Sequence, residues 1–178
     1  LALRLLAQIT LMIHFVPILV LKDIPEGTSA ILIAIASFFR LPIAVVVGYI
    51  SDRWSRTKTS AFIMFLGVGA CATVLFGPNY FVVGLLFALL FGAAHGANAI
   101  TWALVGQFFG RKHFGKLRGG LGVGTGVATV IGPIFAGWSY DVSGTYTVTL
   151  TILGSFYFAS GIIFWIMTSP STSMGKVN

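Results

Sequence analysis

Of the 178 residues, 57% are hydrophobic and 8% are charged, against about 25% charged in a soluble domain. So few charges cannot clothe a water-facing surface, and so apolar a chain does not stay disordered. The net charge is +7, from eleven Lys plus Arg against four Asp plus Glu, and the single cysteine excludes an internal disulfide and most thiolate metal sites. An integral membrane protein remains.

A helix needs roughly 20 apolar residues to cross the hydrocarbon core. By that measure the chain holds six spans, at about residues 5–21, 27–50, 60–76, 80–109, 119–139 and 148–168. The apolar runs are continuous rather than alternating, so helices and not a membrane barrel are predicted. The expected fold is all-α: one six-helix transmembrane bundle over residues 1–168, then a polar tail over 169–178. The chain opens on Leu1, is already apolar by Leu5, and this start lacks the basic leader and small-residue cleavage site expected of a signal peptide. It reads as a piece of a longer protein.

The first span carries His14, with Pro17 one turn on. Lys22 to Glu26 then joins it to the second span, which carries Arg40 at its middle beside Ser37 and Pro42. A charge at mid-bilayer costs at least about 2.5–3.5 kcal/mol on the lenient insertion scale. The acids Asp23, Glu26, Asp52 and Asp141 all fall at span ends, so Arg40 has no carboxylate in its own span. Three readings fit: an anionic substrate meets it, an acid from a segment outside this chain pairs with it, or it snorkels to an edge.

Residues 51–59 follow, with Asp52, Arg53, Arg56 and Lys58 after Gly48. Between residues 59 and 110 there is no Asp, Glu, Lys or Arg. This stretch is two spans, broken at Gly77-Pro78-Asn79, where Pro78 removes a helical hydrogen bond. His95, Asn98 and Trp102 recur at helical spacing in the fourth span and so share a face. A polar face inside a membrane points to protein or to a cavity. It fits a substrate path with His95 as a proton relay, and equally an interhelical hydrogen bond.

The loop at 110–118 holds Arg111, Lys112, His113, Lys116 and Arg118. The fifth span is rich in glycine: Gly119, Gly120, Gly122, Gly124, Gly126, Gly132 and Gly137. Gly122-Val123-Gly124-Thr125-Gly126 is no nucleotide loop, because it lacks the full spacing and a preceding strand. Small residues here, as at Gly92 and Gly96, let helices approach closely. Asp141 to Thr147 leads to the last span.

The charges also fix an orientation. Arg4, Arg53, Arg56, Lys58, Arg111, Lys112, Lys116, Arg118 and Lys176 fall on one side and Lys22 alone on the other. Cationic loops stay cytoplasmic, so both ends are expected in the cytoplasm, most simply at the plasma membrane. The same rule accounts for the basic charge without nucleic-acid binding. Tyr49, Trp54, Tyr80, Trp138, Tyr140 and Tyr146 form interfacial belts.

Gly48-Tyr49-Ile50-Ser51-Asp52-Arg53-Trp54-Ser55-Arg56-Thr57-Lys58 resembles the loop motif G-x-x-x-D-R-x-x-R-x-K of the major facilitator superfamily. The 108–119 loop, Gly132-Pro133-Ile134-Phe135-Ala136-Gly137-Trp138, Asp141 to Tyr146 and His14-Phe15-Val16-Pro17 are similar to its monocarboxylate and oxalate/formate branch. The resemblance implies helices 7 to 12 of a twelve-helix transporter whose N-terminal six-helix half is missing here. It also implies a loop around Asp52 that gates one state, and a functional arginine in the second span, nearer Ala44 than Arg40. Gly48-x-x-x-Asp52 and Gly137-x-x-x-Asp141, 89 residues apart and closing spans of opposite direction, are what a three-plus-three inverted repeat leaves in sequence.

The expected function is secondary active transport of a small organic anion such as a monocarboxylate, by alternating access. Arg40, His95, Asn98 and His14 would line the path, and Gly48, Asp52, Arg53, Arg56 and Lys58 would form the gate. A six-helix channel or an oligomeric membrane scaffold is the alternative, though no pore loop or filter sequence is present. No enzyme, metal site or cofactor is expected: there is no acid pair at membrane depth and no serine motif beside a histidine.

Overall fold

The computed structural model describes residues 2–96, 98–109 and 114–167. His113, Arg111, Lys112 and the tail 169–178 lie outside the described residues, which are otherwise helical apart from short turns. The helices are α1 (Ala2–Ile13), α2 (Phe15–Val20), α3 (Glu26–Arg53), α4 (Arg56–Phe76), α5 (Phe81–Gly96), α6 (Asn98–Phe109), α7 (Phe114–Ser143) and α8 (Thr147–Ile166). Among the described residues five stretches are long and apolar enough to cross a membrane: α3, α4, Phe81–Phe108, Gly115–Ser143 and α8.

The expected first span is divided at His14. Pro17 explains the division, because it has no N–H to offer the carbonyl of Ile13. The i→i−4 pattern nevertheless continues on either side, with His14 N–H donating to Thr10 and Ile18 N–H to His14. Pro42 and Pro133, by contrast, sit within unbroken α3 and α7.

α4 packs most extensively on α8 and α5, α3 packs on α5, and α1 packs on α7 and α8. Phe15, Phe87 and Phe91 form the aromatic centre, with ring centroids 4.8 to 5.9 Å apart. Glycine sets the closest approaches. A Cβ on Gly67 would lie 2.6 Å from the Tyr157 ring, and one on Gly92 would lie 2.6 Å from the Ala36 carbonyl oxygen.

One end of the bundle is tied by its turns. Lys22 Nζ donates to the Gly77 carbonyl at 2.9 Å, and Asn79 donates to Asp23 at 2.8 Å. Asp23 and Gly144 hold left-handed backbone conformations in these turns, at φ 58° and φ 68°. At the other end the connection between α3 and α4 is shorter than the expected 51–59 loop. It consists of Trp54 and Ser55, because α3 continues to Arg53 and Ser55 caps α4 by accepting from the Lys58 N–H.

Candidate substrate site

The site is set by how α5 lies on α3. Gly92 meets Ala36, and one turn later a Cβ on Gly96 would lie 2.8 Å from Ile43. Glycine at both positions brings the two backbones together. Arg40 of α3 and His95 of α5 face each other between these contacts. From Glu26 to Arg40, and from Phe81 to His95, each helix rises about 21 Å, so the two side chains sit at similar depth. With Met12, Ser37 and Phe91 they line a cavity of about 10 Å³, roughly room for one water. Arg40 is exposed and has no ion pair among the described residues. His95 is half-buried, edge-on to Phe91 with centroids 4.7 Å apart.

The four residues expected to line the path divide into groups. Arg40 and His95 meet. Asn98 is exposed, and its side-chain oxygen accepts from Arg4 Nη2 at 2.9 Å. His14 lies elsewhere, and both of its ring nitrogens are engaged. Nε2 contacts the Pro133 carbonyl at 3.1 Å, and Nδ1 contacts the Tyr146 hydroxyl at 2.9 Å. A carbonyl only accepts, so Nε2 carries the proton, and Nδ1 shares a hydrogen bond with the Tyr146 hydroxyl. Burial, then nearby Tyr140 and Asp141, push the Tyr146 hydroxyl up from its ordinary pKa, which keeps it a donor. His14 thus ties the bend in the first helical run to α7 and to the start of α8.

The expected gating residues lie together, on helix rather than loop. Asp52 accepts from Arg56 Nη2 at 2.8 Å across the turn. Arg53 stacks over the Tyr49 ring at 4.3 Å, and Lys58 lies 5.8 Å over the Trp165 ring. A Cβ on Gly48 would meet nothing within 4 Å.

Arg4, expected as a cation preceding the first span, lies within α1 and is 1% exposed. The signal was its spacing: Arg4, Ala7, Gln8 and Leu11 recur three and four apart and form the buried face of α1.

Among the described residues no group of three or more His, Cys, Asp or Glu side chains could hold a metal. No curated protein matches the chain. The sequence pattern described as Major Facilitator Superfamily matches residues 2–178. With that match over apolar helices of spanning length, the chain belongs to the major facilitator superfamily of membrane transporters.

Proposed function

We propose that the chain forms six spans, arranged as a three-plus-three inverted repeat, and is one half of a transporter that moves a small organic anion by alternating access. The helical run through His14 is the first span, and α5 with α6 is the fourth. The packing supports this reading, because it maps onto itself when the first three spans are exchanged for the last three. The contact of α1 with α7 corresponds to that of α5 with α3, that of α4 with α5 corresponds to that of α8 with α1, and the contact of α4 with α8 corresponds to itself. The Gly-x-x-x-Asp pairs then close equivalent helices, α3 and α7.

Those two helices also support a missing half. In their most apolar stretches 17% of residues are buried, against 50% in α4. Their open faces are suited to a second six-helix unit that rocks against this one.

The single observation that carries the substrate class is Arg40. It is charged at any working pH, exposed at mid-helix beside His95, and without a carboxylate among the described residues. An anion entering between the halves would meet it. A monocarboxylate suits its planar two-pronged donor geometry. Asp52, already hydrogen-bonded at the α3–α4 turn, would latch one state, and the cationic turns would lie in the cytoplasm.

The test is uptake of labelled formate, acetate, lactate and oxalate by the full-length protein. Arg40→Gln should abolish uptake at normal surface expression, and Arg40→Lys should weaken it sharply. Normal expression with normal uptake of every anion that the wild type carries would remove Arg40 from the path. Misfolding of Arg40→Gln, repaired by neutralising an acid of the other half, would make it an ion-pair residue instead.

A further inference from the structure

Arg4 poses a different electrostatic problem from Arg40. Arg4 is 1% exposed, with Nη2 donating to Asn98 at 2.9 Å and with Nε and Nη1 both buried and without a partner among the described residues. One turn along α1, Gln8 is 4% exposed and its side-chain oxygen is also unpartnered. Arginine does not shed its proton, so this site cannot neutralise itself as a buried lysine or histidine would. Nor do the described residues supply a counter-charge. All four acids are exposed at helix ends, and two of them are engaged there, Asp23 by Asn79 and Asp52 by Arg56.

The nearest titratable neighbour does not help either: His95 lies within electrostatic reach of both Arg4 and Arg40, and an imidazole carries no negative charge to offset them. An acid from another part of the protein is a poor answer, because the helices of this chain already seal Arg4 from outside. What docks on their outer faces reaches Arg40 and the exposed Asn98, and stops short of the 1% exposed Arg4 itself. Water would satisfy the two N–H groups but leave the charge uncompensated.

The geometry points to an internal anion site in which Arg4, assisted by the Gln8 and Asn98 amides, holds one small monovalent anion about a helical turn past the Arg40–His95 crevice. Nε and Nη1 are its free donors. Both side-chain amides can turn their N–H groups inward once the anion replaces Asn98 Oδ1 as the acceptor. Two sources share this chemistry: a resident halide, or a small carboxylate that enters beside the exposed Asn98. Nothing here requires that Arg40 bind substrate, so the site stands or falls separately from the proposed transport reading.

The experiment uses the full-length protein carrying Arg40→Gln, which removes the outer arginine. Its thermal unfolding is followed in sodium chloride and in sodium acetate, against sodium gluconate at equal ionic strength. A saturable rise in melting temperature with acetate alone identifies a carboxylate site, and a rise with chloride as well identifies a halide site. Adding Arg4→Met should abolish the response. Asn98→Ala and Gln8→Leu should each raise the half-saturating concentration roughly tenfold, as expected for loss of one hydrogen bond to a charge. They supply the answer if Arg4→Met fails to fold. No anion-specific rise in the Arg40→Gln protein, or a half-saturation unmoved by both amide variants, would overturn the site. Uptake is read on the same preparations, so normal uptake by Arg40→Gln with the anion response intact would refute the transport reading alone.

Discussion

Two glycine-rich stretches of this chain look alike in sequence and behave oppositely in the fold. On α5, Gly92 and Gly96 press against Ala36 and Ile43, so any side chain there meets α3 at less than 3 Å. On α7, a Cβ on Gly119, Gly120, Gly122, Gly124, Gly126 or Gly137 would meet nothing within 4 Å, and only Gly132 abuts a neighbour, the Thr10 hydroxyl of α1. The first set has its partner within the chain and seats Arg40 against His95. The second, Gly132 aside, has no close neighbour among the described residues. Glycine therefore marks where a backbone can approach, not whether the approaching partner belongs to the same six helices.

The largest expected effect follows from the empty face. Inserted alone into liposomes, the 178-residue chain should transport none of the anions that the full-length protein carries, because one wall of the path is absent. Substantial uptake would mean that the α7 face is completed by a second copy.

Next in size is Gly92→Val. The atom that it strikes is a backbone oxygen, which cannot turn away, so α3 and α5 must separate. Overpacking of this kind costs about 1–3 kcal/mol, and uptake should fall as Arg40 and His95 part. Gly96→Ala should cost less, since the Ile43 side chain can rotate. Denaturant titration of the purified full-length protein measures both, and equal stability of Gly92→Val and wild type would refute the tight contact.

The counterpart on α7 sharpens the contrast. The double change Gly122→Leu with Gly124→Leu should leave the isolated chain within about 0.5 kcal/mol of wild type. In the full-length protein it should lower stability and transport together. Equal destabilisation in both settings would show that α7 packs within this chain after all.

The smallest stability effect is expected at the ends of these helices. The Asp52–Arg56 pair is exposed, and such pairs contribute about 0–1 kcal/mol. Asp52→Asn should therefore barely move unfolding, yet it should shift cysteine-labelling accessibility of the full-length protein toward the inward-open state. An unchanged labelling pattern would leave Asp52 with the Arg56 contact alone.

Much of this was legible from composition and spacing. Charge sparsity required helices in a membrane, and apolar lengths located α3, α4, the Phe81–Phe108 stretch and α8 to within a few residues. The Gly48 to Lys58 motif pointed to the superfamily that the residue 2–178 match established. Hydropathy alone did not reveal that Arg4 is sealed inside, that His14 holds α7 and α8 rather than lining the Arg40 crevice, or that the motif lies on two helices joined by a two-residue turn. The reason is physical. In water, an apolar stripe shows which side of a helix is buried. In a membrane, lipid and protein neighbours are equally apolar, so hydropathy locates each helix along the chain and is silent about its partners. Which faces meet was decided by close packing and hydrogen bonds between residues as distant in sequence as Arg4 and Asn98, or His14 and Tyr146, and those exist only once the helices are side by side.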